Sequence, residues 1–491
     1  MESLIVPLAF IFILGSAVVL HEFGHFIVAK LFRIRVETFS VGFGPRLFGK
    51  KWGHTDYRVS LIPLGGYVKL GGDDSNAPLE GVSSQDIPPE EMFNLRPRWQ
   101  RVLVALAGPI MNILTALAIP FAGAMMYGVP ATPSPVVYYI QRDGAAYKAG
   151  LQQGDRIVSF NGTEHPSWES ISGDALLSPD RPLPIVVNRN GSEIPLTITP
   201  TARTENGETA GFLDFIPDYG GLPVVVADVM PGSPAAAAGL KENDRFVSIG
   251  GEEVKSSAQV TEYVRNHDGQ KIPITVERNG AQTQLMTDER RIQGRLGFSV
   301  TELYPLHQAG VGSAAKYAYD SNIQILRLTG KALWQVFTGE RSVRNTLSGP
   351  IGIYKAAQKS VERLGWDGVF GMLGFLSLNL GIFNLLPIPV LDGGAIFLLL
   401  IEGLLALVGL SISAAVRDRI QQVGFVMVLL LMVFVISNDL IKLIGGNREQ
   451  ENPPAAASPE NSSHAQVATS SGQTHSNRWW RARRDPVHDE D

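Results

Sequence analysis

The sequence predicts an α-helical polytopic membrane protein. It has four transmembrane helices, a membrane-associated β-hairpin loop between the first two, and two small β-rich domains in tandem between the second and third. Three observations predict it. Long apolar segments recur at 4–31, 102–127, 369–387 and 423–443, close to the roughly 20 residues a helix needs to cross a bilayer. The loop at 30–101 carries 11 Lys and Arg, and positive charge near span ends marks the cytoplasmic side. The soluble stretch at 128–310 contains an internal repeat at an offset of 89 residues. Hydrophobic residues make up 45% of the 491, so spans alternate with sizeable soluble parts. A net charge of −5 indicates no nucleic-acid partner. The lack of cysteine excludes disulfides and thiolate ligands, so any metal must use His, Asp, Glu or water.

The first span, LIVPLAFIFILGSAVVLHEFGHFIVAKL, has no charged residue from Leu4 to Leu20 and then presents His21, Glu22 and His25. It lacks a basic leader and a small-residue cleavage site, so it reads as an uncleaved span rather than a signal peptide. On a helix, positions i and i+4 share a face about 6 Å apart. His21 and His25 can therefore hold one metal ion, and Glu22 beside them can reach a water on it. Ordinary core histidines are the plainer alternative. Yet ionisable groups within a membrane cost roughly a few kcal/mol each, and a cluster of them needs a purpose.

Within the basic loop, Thr55–Leu70 (TDYRVSLIPLGGYVKL) is β-like, with Gly65-Gly66 read as its turn. Two readings stand side by side. The hairpin covers its own apolar face, or it dips toward the site and offers a strand edge at Gly66, Tyr67 and Val68 to an extended substrate. Ser75–Glu91 is polar and contains proline, which predicts a mobile linker. The second span contains Gly108, Pro109 and Asn112. Small residues permit close helix contact, and Asn112 reads as interhelical glue.

In the repeat, GLQQGDRIVSFNG at 150–162 matches GLKENDRFVSIGG at 239–251, and PIVVNRNG at 184–191 matches PITVERNG at 273–280. Two copies without net insertion mean two consecutive domains of like fold. The pattern A-x-x-A-G-L-x-x-x-D-R-I/F-V-S resembles PDZ domains, which take an extended peptide beside a sheet edge. Beyond the repeat, residues 313–338 have a helical apolar period interrupted by Arg327 and Lys331, which predicts an amphipathic helix on the membrane surface.

The third span ends in NLLPIPVLDGG at 384–394. Pro387 and Pro389 remove backbone donors, Gly393-Gly394 loosen the chain, and a regular helix is not expected there. Irregular backbone at membrane depth is tolerated only where protein or a watery cavity covers it, which turns Asp392 inward. Capping a helix over 395–410 is a second use for Asp392, compatible with ligation. A catalytic zinc site takes three protein ligands and leaves one position open. Asp392 is the best-placed third ligand beside His21 and His25, with Glu22 as general base.

Together, His-Glu-Phe-Gly-His, Asn384-x-x-Pro-x-Pro-x-Leu-Asp392-Gly and two PDZ-like units resemble the site-2 protease family of intramembrane zinc metalloproteases, in its bacterial sigma-E-regulating type. The likeness covers about residues 1–445. It implies one Zn2+ held by His21, His25 and Asp392, catalysis by Glu22, and substrate held by Asn384, Pro387 and Pro389. It further implies single-span membrane substrates, such as an anti-sigma factor first trimmed by an upstream site-1 protease, with remnant signal peptides as a second class. The PDZ pair would exclude bulky outer domains. The expected location is the bacterial inner membrane, with periplasmic PDZ domains and the active site near the cytoplasmic side. The expected divisions are 1–127, 128–221, 222–310, 311–366 (surface helix and linker), 367–446 and a disordered tail at 447–491.

Two other classes compete with an enzyme. A scaffold or chaperone with a structural metal would close its site with four protein ligands, where three are found. A metal transporter would carry ligating residues along the second and fourth spans, which have almost none.

Overall fold

The structure, a computed structural model, describes residues 2–73, 87–205, 208–219, 222–287, 296–303, 306–340, 342–343, 349–410 and 412–451. Four of its helices are long and apolar enough to cross a membrane, over Ile5–Leu31, Arg98–Tyr127, Trp366–Asn384 and Arg419–Ile441. They belong to α1 (Glu2–Leu31), α2 (Arg98–Tyr127), α7 (Trp366–Asn384) and α9 (Ala414–Glu451). Most of the predicted linker Ser75–Glu91 and the tail beyond 451 lie outside the described residues.

Strands β1 (Val36–Trp52) and β2 (Thr55–Leu70) follow α1. The turn between them is at Gly53 (φ 60°), not at Gly65-Gly66 as the sequence suggests. Gly65 and Gly66 lie within β2 instead, where Gly66 faces the Ser40 carbonyl so closely that a Cβ would sit 2.5 Å from it. Residues 38–41 of β1 have two sets of partners, Asp56–Val59 on one side and Gly66–Lys69 on the other. The segment 66–70 is thereby brought against α1, and Val36, Val68 and Leu70 share a buried cluster with Ala29 and Val104.

The two repeat copies fold alike. The first sheet runs Phe215–Asp218, Ser134–Ile140, Arg156–Phe160, Leu183–Arg189, Ser192–Ile198. The second runs Phe298–Glu302, Val224–Val229, Arg245–Ile249, Pro273–Arg278, Ala281–Met286 in the same order. Each packs a longer helix on the sheet, α3 (Trp168–Leu176) in the first and α4 (Ser257–Asn266) in the second, and each also has a four-residue helix, at Ala145–Lys148 and Pro234–Ala237. The cores correspond at the 89-residue offset: Ile157, Ile171, Ile185 and Val187 answer to Phe246, Val260, Ile274 and Val276, all nearly inaccessible. Burying each such side chain is worth about 1.5–3 kcal/mol.

Helix α5 (Val311–Phe337) is amphipathic and is not among the spans, as its interrupting charges predict. It packs on α2, where the Asn322 amide donates to the Ala116 carbonyl at 3.0 Å, and it carries the first repeat through Lys331 and Asp174 at 2.5 Å. The stretch read as a linker after it holds another helix, α6 (Pro350–Leu364). Its narrow stripe, Ala357 and Val361, is buried against Ala9, Ile13 and Ala17 of α1. Asp439 of α9 accepts from the backbone nitrogens of Gly349, Ile351 and Gly352 at 3.0–3.1 Å, capping α6 and tethering α9 to it. Helix α8 (Asp392–Leu407) completes the bundle, and its buried Glu402 pairs with Arg417 of α9.

Candidate metal centre

The sequence places His21 and His25 one turn apart on α1, and the fold closes α2 over them. The crossing is tight. A Cβ on Gly24 would lie 2.2 Å from the Ala107 carbonyl, and one on Gly108 would lie 2.3 Å from His25 Nε2, so both positions require glycine. The imidazole rings meet edge to face with centroids 4.8 Å apart, and their Nε2 atoms are 3.2 Å apart.

The third group arrives from the other end of the membrane part. After α7 ends at Asn384, residues 385–391 form a hook, and α8 restarts the chain at Asp392. Prolines 387 and 389 explain why no helix runs through. Gly393 and Gly394 do not loosen the chain here. They let the first turn of α8 pack on the hook, where Cβ atoms would lie 2.3 Å from Leu385 and 2.1 Å from the Ile388 carbonyl. Nor is Asp392 the cap of α8. Leu391 precedes the helix, and Asp392 is its first residue, so the carboxylate is turned to the histidines at the positive end of the helix dipole.

Asp392 Oδ2 is 3.0 Å from His21 Nε2, and Oδ1 is 3.5 Å from His25 Nε2. Among the described residues, His21, His25 and Asp392 form the group that could hold a metal. The donor spacing fits zinc. Tetrahedral ligands at about 2.0–2.1 Å from the ion lie roughly 3.3 Å from one another. The two Nε2 atoms are 3.2 Å apart and lie 3.0 Å and 3.5 Å from the two different oxygens of Asp392, separations of that size, and one donor atom from each residue lies within 4.8 Å of the others. His25 donates from Nδ1 to the Val104 carbonyl at 2.7 Å, which leaves the Nε2 lone pair facing His21 and Asp392. Glu22 stands beside the group, and its Oε2 accepts from the backbone nitrogen of Val68 at 3.1 Å.

The remaining predicted residues divide. Asn384 closes α7 with its amide nitrogen 3.3 Å from His21 Nε2. Val68 touches Glu22 directly, and Gly66 lies on the same strand segment. The Tyr67 side chain points elsewhere, stacked on Phe43 and hydrogen-bonded by Arg58. Pro387 and Pro389 shape the hook, and Pro389 packs on Gly424 of α9. One contact of the site is not anticipated. Asn112, fully buried on α2, puts its amide nitrogen 3.3 Å from His21 Nδ1. Its spacing of four residues from Gly108 was the available signal, but polar residues in spans commonly serve helix contacts.

A family model described as peptidase family M50 matches residues 9–431. Protease RseP of Yersinia pestis is 34% identical over 461 residues, 89% of this chain and 98% of that one. The regulator of sigma-E protease RseP of Escherichia coli K12 is 32% identical over 460 residues, with 89% and 98% covered. A Vibrio cholerae protein provisionally named a zinc metalloprotease is 32% identical over 462 residues, with the same coverage. With four spanning-length helices and a donor set suited to zinc, the chain belongs to peptidase family M50, the site-2 proteases, and is a zinc metalloprotease of the membrane.

Proposed function

We propose that the protein performs regulated intramembrane proteolysis, cutting single-span membrane proteins of the anti-sigma-factor type after an upstream protease has trimmed their outer domain. Remnant signal peptides are a second substrate class. The observation that carries the reading is a convergence: His21, His25 and Asp392 meet inside the helix bundle, with Glu22 beside them against a strand edge. The name of the Escherichia coli relative adds the sigma-E connection. The inner membrane is the proposed location, with the basic loop cytoplasmic and the repeats periplasmic by the charge rule.

In this reading His21, His25 and Asp392 are the zinc ligands. Zinc, when bound, polarises the scissile carbonyl and acidifies the attacking water. Glu22 takes the proton of that water and delivers it to the leaving amine. Its Oε2 is held by Val68, which orients the carboxylate and leaves the second oxygen for the proton. A substrate helix must unwind first, because its carbonyls are hydrogen-bonded. The unwound segment lies along Gly66, Tyr67 and Val68 as an added strand, which brings its peptide bonds next to Glu22. Asn384, Pro387 and Pro389 bound it on the other side.

The repeats act as PDZ domains that gate entry by size. The divisions at 1–127, 128–221, 222–310, 311–366 and 367–446 serve these roles, with α6 bracing the last of them. The test uses full-length protein in vesicles with a single-span substrate carrying a short outer stub. Glu22→Gln should keep its zinc and lose roughly 10²–10⁴-fold in cleavage rate. Cleavage at the unaltered rate would overturn the reading. A folded domain appended to the substrate's outer end should block cleavage, and deletion of both repeats should restore it.

A further inference from the structure

The sequence supplies His21 with one neighbour whose chemistry the catalytic roles do not use. Asn112 is wholly inaccessible, and its side chain stands against the face of His21 opposite the ligand cluster. Its Oδ1 is buried with no hydrogen-bond partner, while its Nδ2 faces His21 Nδ1 at 3.3 Å. The other three contacts of His21, to His25, Asp392 and Asn384, all involve Nε2.

A neutral imidazole carries one proton. When Nε2 is the ligand atom, that proton sits on Nδ1, which becomes a donor needing an acceptor. His25 already solves this problem, since its Nδ1 donates to the Val104 carbonyl of the same helix at 2.7 Å. For His21 the group in reach is the Asn112 amide. Its nitrogen can only donate, which would set two donors against each other. Its oxygen, otherwise orphaned, can accept. A half-turn of the amide exchanges the two atoms without moving the backbone.

We propose that Asn112 is a positioning residue of the metal centre: its amide oxygen accepts the Nδ1–H of His21 and holds the tautomer whose Nε2 faces zinc. This rests on the reading that His21, His25 and Asp392 are the ligands. Helix α2 then supplies the outer partner of both histidines, from Val104 and Asn112, about two turns apart. Such partners orient the ring and raise its basicity, and losing one costs typically ~10–100-fold in metal affinity.

The test measures zinc bound to purified full-length protein against a graded chelator, for the unaltered chain, Asn112→Leu, Asn112→Asp and His21→Ala. Asn112→Leu keeps the shape and removes the acceptor, and its zinc should be held ~10–100-fold more weakly. Asn112→Asp keeps an acceptor and removes the donor, and it should hold zinc at least as tightly as the unaltered protein. Zinc binding by Asn112→Leu equal to the unaltered chain overturns the proposal. So does equal weakness of the Asp and Leu variants, because that is the behaviour of a residue needed for its N–H. His21→Ala separates the two levels. If it retains zinc, the ligand reading itself is wrong. If it loses zinc while Asn112→Leu does not, only the role of Asn112 is wrong. A measurement on the unaltered sequence guards against misfolded variants. With 15N-labelled histidine and zinc loaded, His21 Nδ1 should carry a proton, and an Nδ1 resonance characteristic of a ligand atom would overturn the proposal.

Discussion

The protein buries carboxylates in two ways, and the contrast separates architecture from chemistry. In the first repeat, Asp155 accepts from Arg189 Nε and Nη2 at 2.7 Å each and from the Gln152 backbone at 2.8 Å. In the second, Asp244 accepts from Arg278 at 2.6 Å twice and from the Lys241 backbone at 2.8 Å. Each arginine also donates to a glycine carbonyl, Gly150 in one copy and Gly239 in the other. These aspartates are saturated, and their cost of burial is met by fixed partners. At the metal centre the two carboxylates are unsaturated, unlike Asp439 and Glu402 elsewhere in the helix bundle. Asp392 faces two imidazoles across a gap suited to an ion, and Glu22 is held at one oxygen by one backbone nitrogen. A fully satisfied carboxylate fixes a fold, and one left with spare capacity can bind or carry protons.

The largest effect that would sharpen this contrast is expected at Asp392. Asp392→Ala should abolish both cleavage and zinc retention, while thermal unfolding of the zinc-free protein stays near that of the unaltered chain. Chelation of the unaltered protein should abolish cleavage and added zinc should restore it, whereas zinc should not rescue the variant. If Asp392→Ala retained its zinc, the division between the two kinds of carboxylate would fall. Asp155→Ala and Asp244→Ala should behave in the opposite way. Each should lower the unfolding midpoint of its own repeat by roughly 5–10 °C, with zinc content unchanged. The freed arginine reaches water in both copies, which limits the loss. Shifts of similar size in the two repeats would confirm one device used twice. A loss of zinc in either variant would break the contrast from the other side.

Much of this was legible in the residues. Uncharged runs mark the four spans, because a lipid-facing helix admits few charges. The repeat offset exposes two like domains, because the same core positions recur, from Ile157 and Phe246 to Val187 and Val276. The fixed spacing of His21 and His25 on one helix puts both imidazoles on one face in advance, and the proline-rich NLLPIPVLDGG explains why Asp392 leaves the helical path. Other features were hidden because they depend on distant partners. Gly65-Gly66 looks like a turn, but it serves close strand packing, and Gly53 makes the turn. Helix α6 was missed because its buried stripe is as narrow as Ala357 and Val361, set among lysines and a glutamine. Asn112 is ambiguous in sequence, since only the fold shows that its neighbour is a histidine rather than another helix backbone.

The smallest effect concerns the backbone. The repeats place several residues at positive φ, among them Asn161, Asn190, Asn243 and Asn279, a type that tolerates the left-handed region. The hook before Asp392 places Val390 there, at φ 85°. A β-branched residue in that region is strained by about 1–3 kcal/mol, and its surroundings must hold it. The fixed ends are evident: α7 closes at Asn384 beside His21, and the first turn of α8 packs on the hook through Gly393 and Gly394. Val390→Gly removes the strain but also frees the unfolded chain, an opposing cost of roughly 0.5–1 kcal/mol. The net gain in stability should therefore lie between about 0 and 2.5 kcal/mol. Cleavage should fall by a few-fold at most, because the packed glycines still hold Asp392 in place. Val390→Ala keeps the unfavourable φ and trims only the side chain, so it should not show the gain. If the two variants proved equally stable, the side chain's contacts rather than its backbone would govern this position, and the hook would be as relaxed as the turns of the repeats.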